Sequence, residues 1–145
     1  MQVEVFSIEE LSEFTHDPLL LLKAILLGGE MLIGCDEAVA LKDEDGRILG
    51  VATISPGGER RSGVPAIVGL YTILEARNGA LGVHVGRTVF EAAVRRCIER
   101  KFRKIHVDVL STFAMRIVEG LPPELREVLE VNDRHEALDY LAHQG

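Results

Sequence analysis

The sequence is poor in cysteine, in positive charge and in long apolar runs, and each shortage excludes something. Its two cysteines, Cys35 and Cys97, lie far apart in no C-x-x-C or Cys/His spacing. That excludes a disulfide scaffold and a cysteine-based zinc site, and leaves buried thiols in a reducing compartment. Sixteen Lys and Arg stand against 23 Asp and Glu, a formal net charge of −7. Phosphate binding along nucleic acid rests on Lys and Arg, so no nucleic-acid partner is expected. The longest apolar block, Leu19 to Leu27, is interrupted by Lys23. It falls short of the roughly 20 residues that a spanning helix needs, so no membrane association is expected. Met1-Gln2-Val3-Glu4-Val5 has no basic n-region of the kind that opens a signal peptide, and the expected location is cytoplasmic. Nucleotide motifs are missing too. No G-x-G-x-x-G occurs, and Gly82-x-x-x-Gly86-Arg87-Thr88 is one residue short of a P-loop, with Arg where Lys is required.

What remains is 145 residues, 47% hydrophobic and 27% charged, the composition of one globular domain over residues 1–145. A chain of this size can bury about 68–70% of its unfolded surface. Val3 and Val5 alternate with polar neighbours as in a short strand, and Ser7-Ile8-Glu9-Glu10 resembles a helix start that runs to about His16. Asp17-Pro18 opens a second helix, which ends at Gly28-Gly29. Leucines cover nearly its whole circumference, so it is core or it meets a substrate or a second copy of the chain. Apolar runs at 38–41 and 48–54 flank Asp45-Gly46, a hairpin signal. Residues 55–63 form a loop whose Arg60-Arg61 pair is a solvated tip or a contact for an acidic acceptor. A third strand follows over 64–74.

The stretch Leu70 to Gly82 organises the rest. An apolar strand end turns through Arg77-Asn78-Gly79 into a long helix, about Ala80 to Phe102, with an apolar stripe of Val85, Val89, Phe90, Ala93, Val94 and Cys97. The N–H groups at a helix start and the positive end of its dipole suit a phosphate, although an ordinary strand-to-helix turn has the same pattern. Arg103 and Lys104 suit the helix's negative end. A strand over 104–110 then completes a βαβ unit with a right-handed crossover. His106 and Asp108 share one face of that strand, where His106 is expected to be exposed. With no third ligand in view, no metal site is expected. A short helix over 113–119, a last strand over 126–131 and a closing helix over 136–143 finish the chain.

In this order of elements, Leu70 to Gly82 resembles the acetyl-CoA-binding motif of the GNAT superfamily of N-acetyltransferases. Leu70-Tyr71-Thr72 matches the motif's strand end. Arg77, Leu81 and Gly82 match its R/Q-x-x-G-x-G/A turn, and Ser111-Thr112-Phe113-Ala114 falls where the family often has N-x-x-A. The likeness covers most of residues 1–120. It implies an α/β (α+β) fold with a mixed, mostly antiparallel central sheet, one βαβ unit, helices on both faces and a shortened C-terminal hairpin. It also implies acetyl-CoA (CoA) as cosubstrate, without a metal, and an amine acceptor that is a small molecule or a protein. The cofactor would be bound by Leu70, Tyr71, Thr72, Arg77, Asn78, Gly79, Ala80, Leu81, Gly82 and Ser111. The strand residues would pair with the pantetheine arm and the turn would wrap the pyrophosphate.

The chain departs from the family pattern in places that matter. Ala80 replaces the middle glycine of the turn, Ala66 stands where a Glu often serves as base, and Val118 stands where a Tyr often protonates the thiolate. General acid–base help is worth ~10²–10⁴ in rate. Tyr71, Ser111 and His84, which is expected in the first turn of the long helix, are the substitute catalytic candidates, and Glu75 reads as a solvated turn residue. Two functions follow. One is acyl transfer from acetyl-CoA to an amine; the other is a catalytically weak or inactive CoA-binding, regulatory or interaction module. Residues 121–145 lack the family's apolar closing hairpin, so a second copy of the chain is a candidate to complete the acceptor side.

Overall fold

A computed structural model describes residues 2–7, 35–57, 64–72, 79–109 and 112–133. In chain order these form β1 (Gln2–Ser7), β2 (Glu37–Lys42), β3 (Ile48–Ser55), β4 (Ala66–Thr72), α1 (Gly79–Glu99), β5 (Ile105–Val109), α2 (Thr112–Glu119), α3 (Pro123–Arg126) and β6 (Leu129–Asp133). All the strands join one six-stranded sheet in the order β1-β2-β3-β4-β5-β6. The pairings from β1 through β4 are antiparallel, and β4-β5 and β5-β6 are parallel. This is the mixed, mostly antiparallel sheet that the sequence leads one to expect.

Local chemistry accounts for the hairpin between β2 and β3. Gly46 takes a positive φ of 81°, which a residue without Cβ accepts at no cost. The Asp43 carboxylate accepts hydrogen bonds from the backbone N–H groups of Asp45 (2.9 Å) and Arg47 (2.9 Å), closing the loop on itself.

In α1 the expected stripe is the buried one: Val85, Val89, Ala93, Val94 and Cys97 have no exposed surface and Phe90 has 3%. Each large side chain so buried contributes about 1.5–3 kcal/mol. The helix packs on β2, β3, β4 and α2. It stops at Glu99, earlier than the expected Phe102, because Lys101 adopts a left-handed φ of 69°. Phe102 N–H then donates to Cys97 O (3.0 Å) and Lys101 N–H to Ile98 O (2.9 Å), a Schellman closure with lysine where glycine is usual. Arg96 is the basic residue of the last turn of α1, and Arg100 follows the helix at once. Lys104 reaches the Glu127 carbonyl, at 3.1 Å.

Arg100 grips Asp36 with both terminal nitrogens (2.7 and 2.9 Å) and reaches Glu37 (2.9 Å), while Arg96 reaches Glu37 at 2.7 and 3.1 Å. Hydrogen bonds to Glu37 and Asp36 hold the Arg96 and Arg100 guanidiniums, respectively, still more firmly protonated than usual. The network fixes the end of α1 to the start of β2.

The second half of the sheet corrects one expectation. The last strand is Leu129–Asp133, displaced from 126–131 because Pro123 starts a helical turn that carries Arg126. It runs parallel to β5, so β5-α2-β6 is a second βαβ unit. Both crossovers advance across the sheet in one direction, and right-handedness therefore puts α1 and α2 on one face. β2 and β3 are nonetheless buried on both faces. Ser7, the expected cap of the first helix, ends β1; the remainder of that helix, to 16, and the helices expected over 18–27 and 136–143 lie outside the described residues.

Candidate functional site

β4 and β5 meet at one register pair, Ala66 with His106, with His106 N–H donating to Pro65 O at 2.8 Å. No further pair joins these strands among the described residues, although both continue, to Thr72 and Val109. The cause is visible one step along β4. Ile67 pairs with Ile54 and Gly69 with Thr53, so Val68 is an extra residue, a β-bulge. A bulge bends its strand and sharpens the local twist, which carries β4 away from β5.

The divergence opens a cleft on the α1/α2 face. Ile67 and Leu70 line it from β4, Val107 to Val109 from β5, Phe90 from α1, and Ala114, Ile117 and Val118 from α2. Eight of its nine lining residues carry apolar side chains, Asp108 being the ninth. Ile105 N–H donates to Val128 O, whereas His106 N–H donates toward β4, so alternate residues of β5 present their backbones to opposite neighbours. Asp108 therefore presents its backbone to the gap.

Leu70 is half-buried and lines the cleft. Tyr71 and Thr72 continue β4, paired with Val51 and Gly50. Gly79, Ala80, Leu81 and Gly82 form the first turn of α1, which begins one residue earlier than expected. Glu75, Arg77, Asn78, Ser111, Arg60 and Arg61 lie outside the described residues. His84 lies beyond the first turn of α1 and is exposed, with its carbonyl accepting from the Thr88 hydroxyl at 2.7 Å. Ala66 sits at the apex of the divergence, and Val118 is 7% exposed and lines the cleft.

His106 is a correction. It is not exposed; only 6% of its surface meets solvent. Its Nε2 lies 3.0 Å from Asp108 Oδ1, and that oxygen also accepts from Asn132 Nδ2 at 2.9 Å. The alternation of β5 placed His106 and Asp108 on one face, but Asn132, 24 residues on, is brought there only by the parallel pairing of β6. Among the described residues no three His, Cys, Asp or Glu side chains group as metal ligands, and no helix is long and apolar enough to cross a membrane. Cys35 and Cys97 are not joined in a disulfide. Burial raises the pKa of Cys35, against the Thr53 hydroxyl, which lowers it, and pushes that of Cys97 up to about 12.

No protein-family model and no curated protein matches the chain. Among solved structures it is similar to ribosomal-protein-alanine N-acetyltransferase from Brucella melitensis biovar Abortus 2308. The two are 16% identical, with 99% of this chain and 90% of that one covered and a TM-score of 0.49.

Proposed function

We propose that the chain binds acetyl-CoA in the opening between β4 and β5 and transfers the acyl group to an amine, as an N-acetyltransferase of the GNAT kind. The observation that carries this reading is the divergence of two parallel strands after the single pair Ala66–His106, over an apolar cleft. An extended arm with amide groups can pair with a strand edge that its neighbour has left, as an added strand does. Leu70, Ile67 and Phe90 offer apolar contact along that path. The first turn of α1, which the chain enters soon after the end of β4, directs backbone N–H groups and a positive dipole end toward a pyrophosphate. The resemblance of Leu70 to Gly82 to an acetyl-CoA motif supports the same placement.

A second reading is a CoA-binding module without turnover. The apolar side chains of Ala66 and Val118, at positions that resemble the family's proton-transfer sites, favour it.

Calorimetric titration with acetyl-CoA and with CoA tests both. Binding is expected, and no heat up to millimolar ligand would refute the proposal. Gly82→Asp is expected to abolish binding, because a carboxylate at the start of α1 opposes the pyrophosphate. Acetyl transfer to amines then separates the enzyme from the silent module.

A further inference from the structure

Cross-strand pairing puts an unusual row on the sheet face opposite α1. Ser55 pairs with Ala66, Ala66 with His106, and His106 with Glu130, so the four side chains share one face. That face is the one away from the cleft, because Ile67, the next residue of β4, lines the cleft beside Phe90 and Ile117. Ser55 is 2% exposed and its Oγ has no hydrogen-bond partner among the described residues. His106, 6% exposed, is the one buried titratable side chain among them apart from the thiols. Between the two, Ala66 supplies only a methyl group. Ser55 and His106 are two strand spacings apart, ~9–10 Å, with only that methyl group between them in the row. An orphaned buried hydroxyl costs about 1–3 kcal/mol unless something polar meets it.

The imidazole is already oriented. In the tautomer in which His106 Nε2 donates to Asp108 Oδ1, at 3.0 Å, Nδ1 is the ring nitrogen left to accept a proton. The Asn132 amide holds the same carboxylate oxygen at 2.9 Å. The arrangement is a proton acceptor, its orienting acid and a further donor that fixes the acid, placed at the apex where β4 leaves β5.

We propose that this face receives the acceptor amine and that His106 Nδ1 takes its proton, with Asp108 orienting the ring and Ser55 holding the amine. The inference rests on acyl-CoA binding in the gap and adds which residues of this chain act on the acceptor. The amine nitrogen bonds to the thioester carbonyl carbon while the C–S bond breaks, and sulfur departs with the electron pair. The proton shed by nitrogen passes to His106, and from the imidazolium through water to the thiolate. The products are an amide and CoA, and the imidazole is regenerated.

Acetyl transfer to glycinamide, measured alongside acetyl-CoA affinity and thermal midpoint, tests this. His106→Gln is expected to lower kcat by ~10²–10⁴ while acetyl-CoA affinity stays within about twofold. His106→Gly should recover turnover when imidazole is added, which a merely structural histidine would not allow. Ser55→Ala should raise KM for the amine more than it lowers kcat, and Asp108→Asn should lower kcat with affinity unchanged. Wild-type kcat in His106→Gln, or no imidazole rescue, overturns the proposal and leaves acetyl-CoA binding standing. A wild-type protein that binds acetyl-CoA but transfers to no amine overturns it as well. A wild-type protein that binds no acetyl-CoA overturns the reading beneath it.

Discussion

Ala66 and His106 are register partners, and they are the last residues at which β4 and β5 touch as strands among the described residues. The bulge at Val68 follows at once, on the side where the gap opens. The β3-β4 and β5-β6 ladders both continue past that point, so the parting is confined to β4 and β5.

Deleting Val68 therefore tests the opening directly. The pairs on either side, Ile54–Ile67 and Thr53–Gly69, become consecutive, so the ladder with β3 survives without slipping. The variant is expected to fold, by circular dichroism, and to lose at least tenfold in acetyl-CoA affinity by calorimetry.

Filling the cleft should have the same effect from the other side. Ala114 is half-buried on α2 and lines the gap. Ala114→Phe is expected to weaken acetyl-CoA binding tenfold or more, with about 1–3 kcal/mol lost from stability through overpacking. Binding at wild-type strength would place the ligand elsewhere.

Cys97 makes stability depend on alkaline pH. Its thiol, which ordinarily titrates near 9.0, is pushed up to about 12 in the fold, chiefly by burial. Its contribution is fully present below pH 9 and is lost as pH rises toward 12, because the unfolded chain ionises first. Urea unfolding at stepped pH should show wild-type stability falling over that window. Cys97→Ala should lack that component of the slope. The native thiol should resist alkylation at pH 8 until the protein is unfolded.

Glu37 accepts from both Arg96 and Arg100 at the join of α1 and β2. Glu37→Gln removes the charge they share, with an expected loss of about 1–3 kcal/mol in chemical denaturation, since hydrogen bonds to charged groups carry more than neutral ones. Asp36 keeps its fork on Arg100, which limits the damage.

Lys101 closes α1 in a left-handed conformation that only glycine adopts freely. Lys101→Gly is expected to raise stability by up to about 1 kcal/mol, read as a higher urea midpoint at unchanged slope.

Periodicity and turn chemistry determined much of the fold. The stripe of α1, the Asp-Gly hairpin and the strand–helix–strand order each follow from side chains acting within a few residues of one another, and so they can be read along the chain. The run from Leu70 to Gly82 carried the acetyl-CoA reading in the same way, through backbone geometry that glycine permits. Tertiary structure alone decided three other matters. The Val68 bulge is a mismatch of register between β3 and β4, and neither strand contains it by itself. Arg126 belongs to a helical turn and β6 lies parallel to β5 because Pro123 and the right-handed crossover over α2 place them so. The His106 alternation reads as an exposed position, whereas the folded chain leaves it 6% exposed and bonded to Asp108. Burial is a property of what lies opposite a residue, and only the folded chain brings that opposite side.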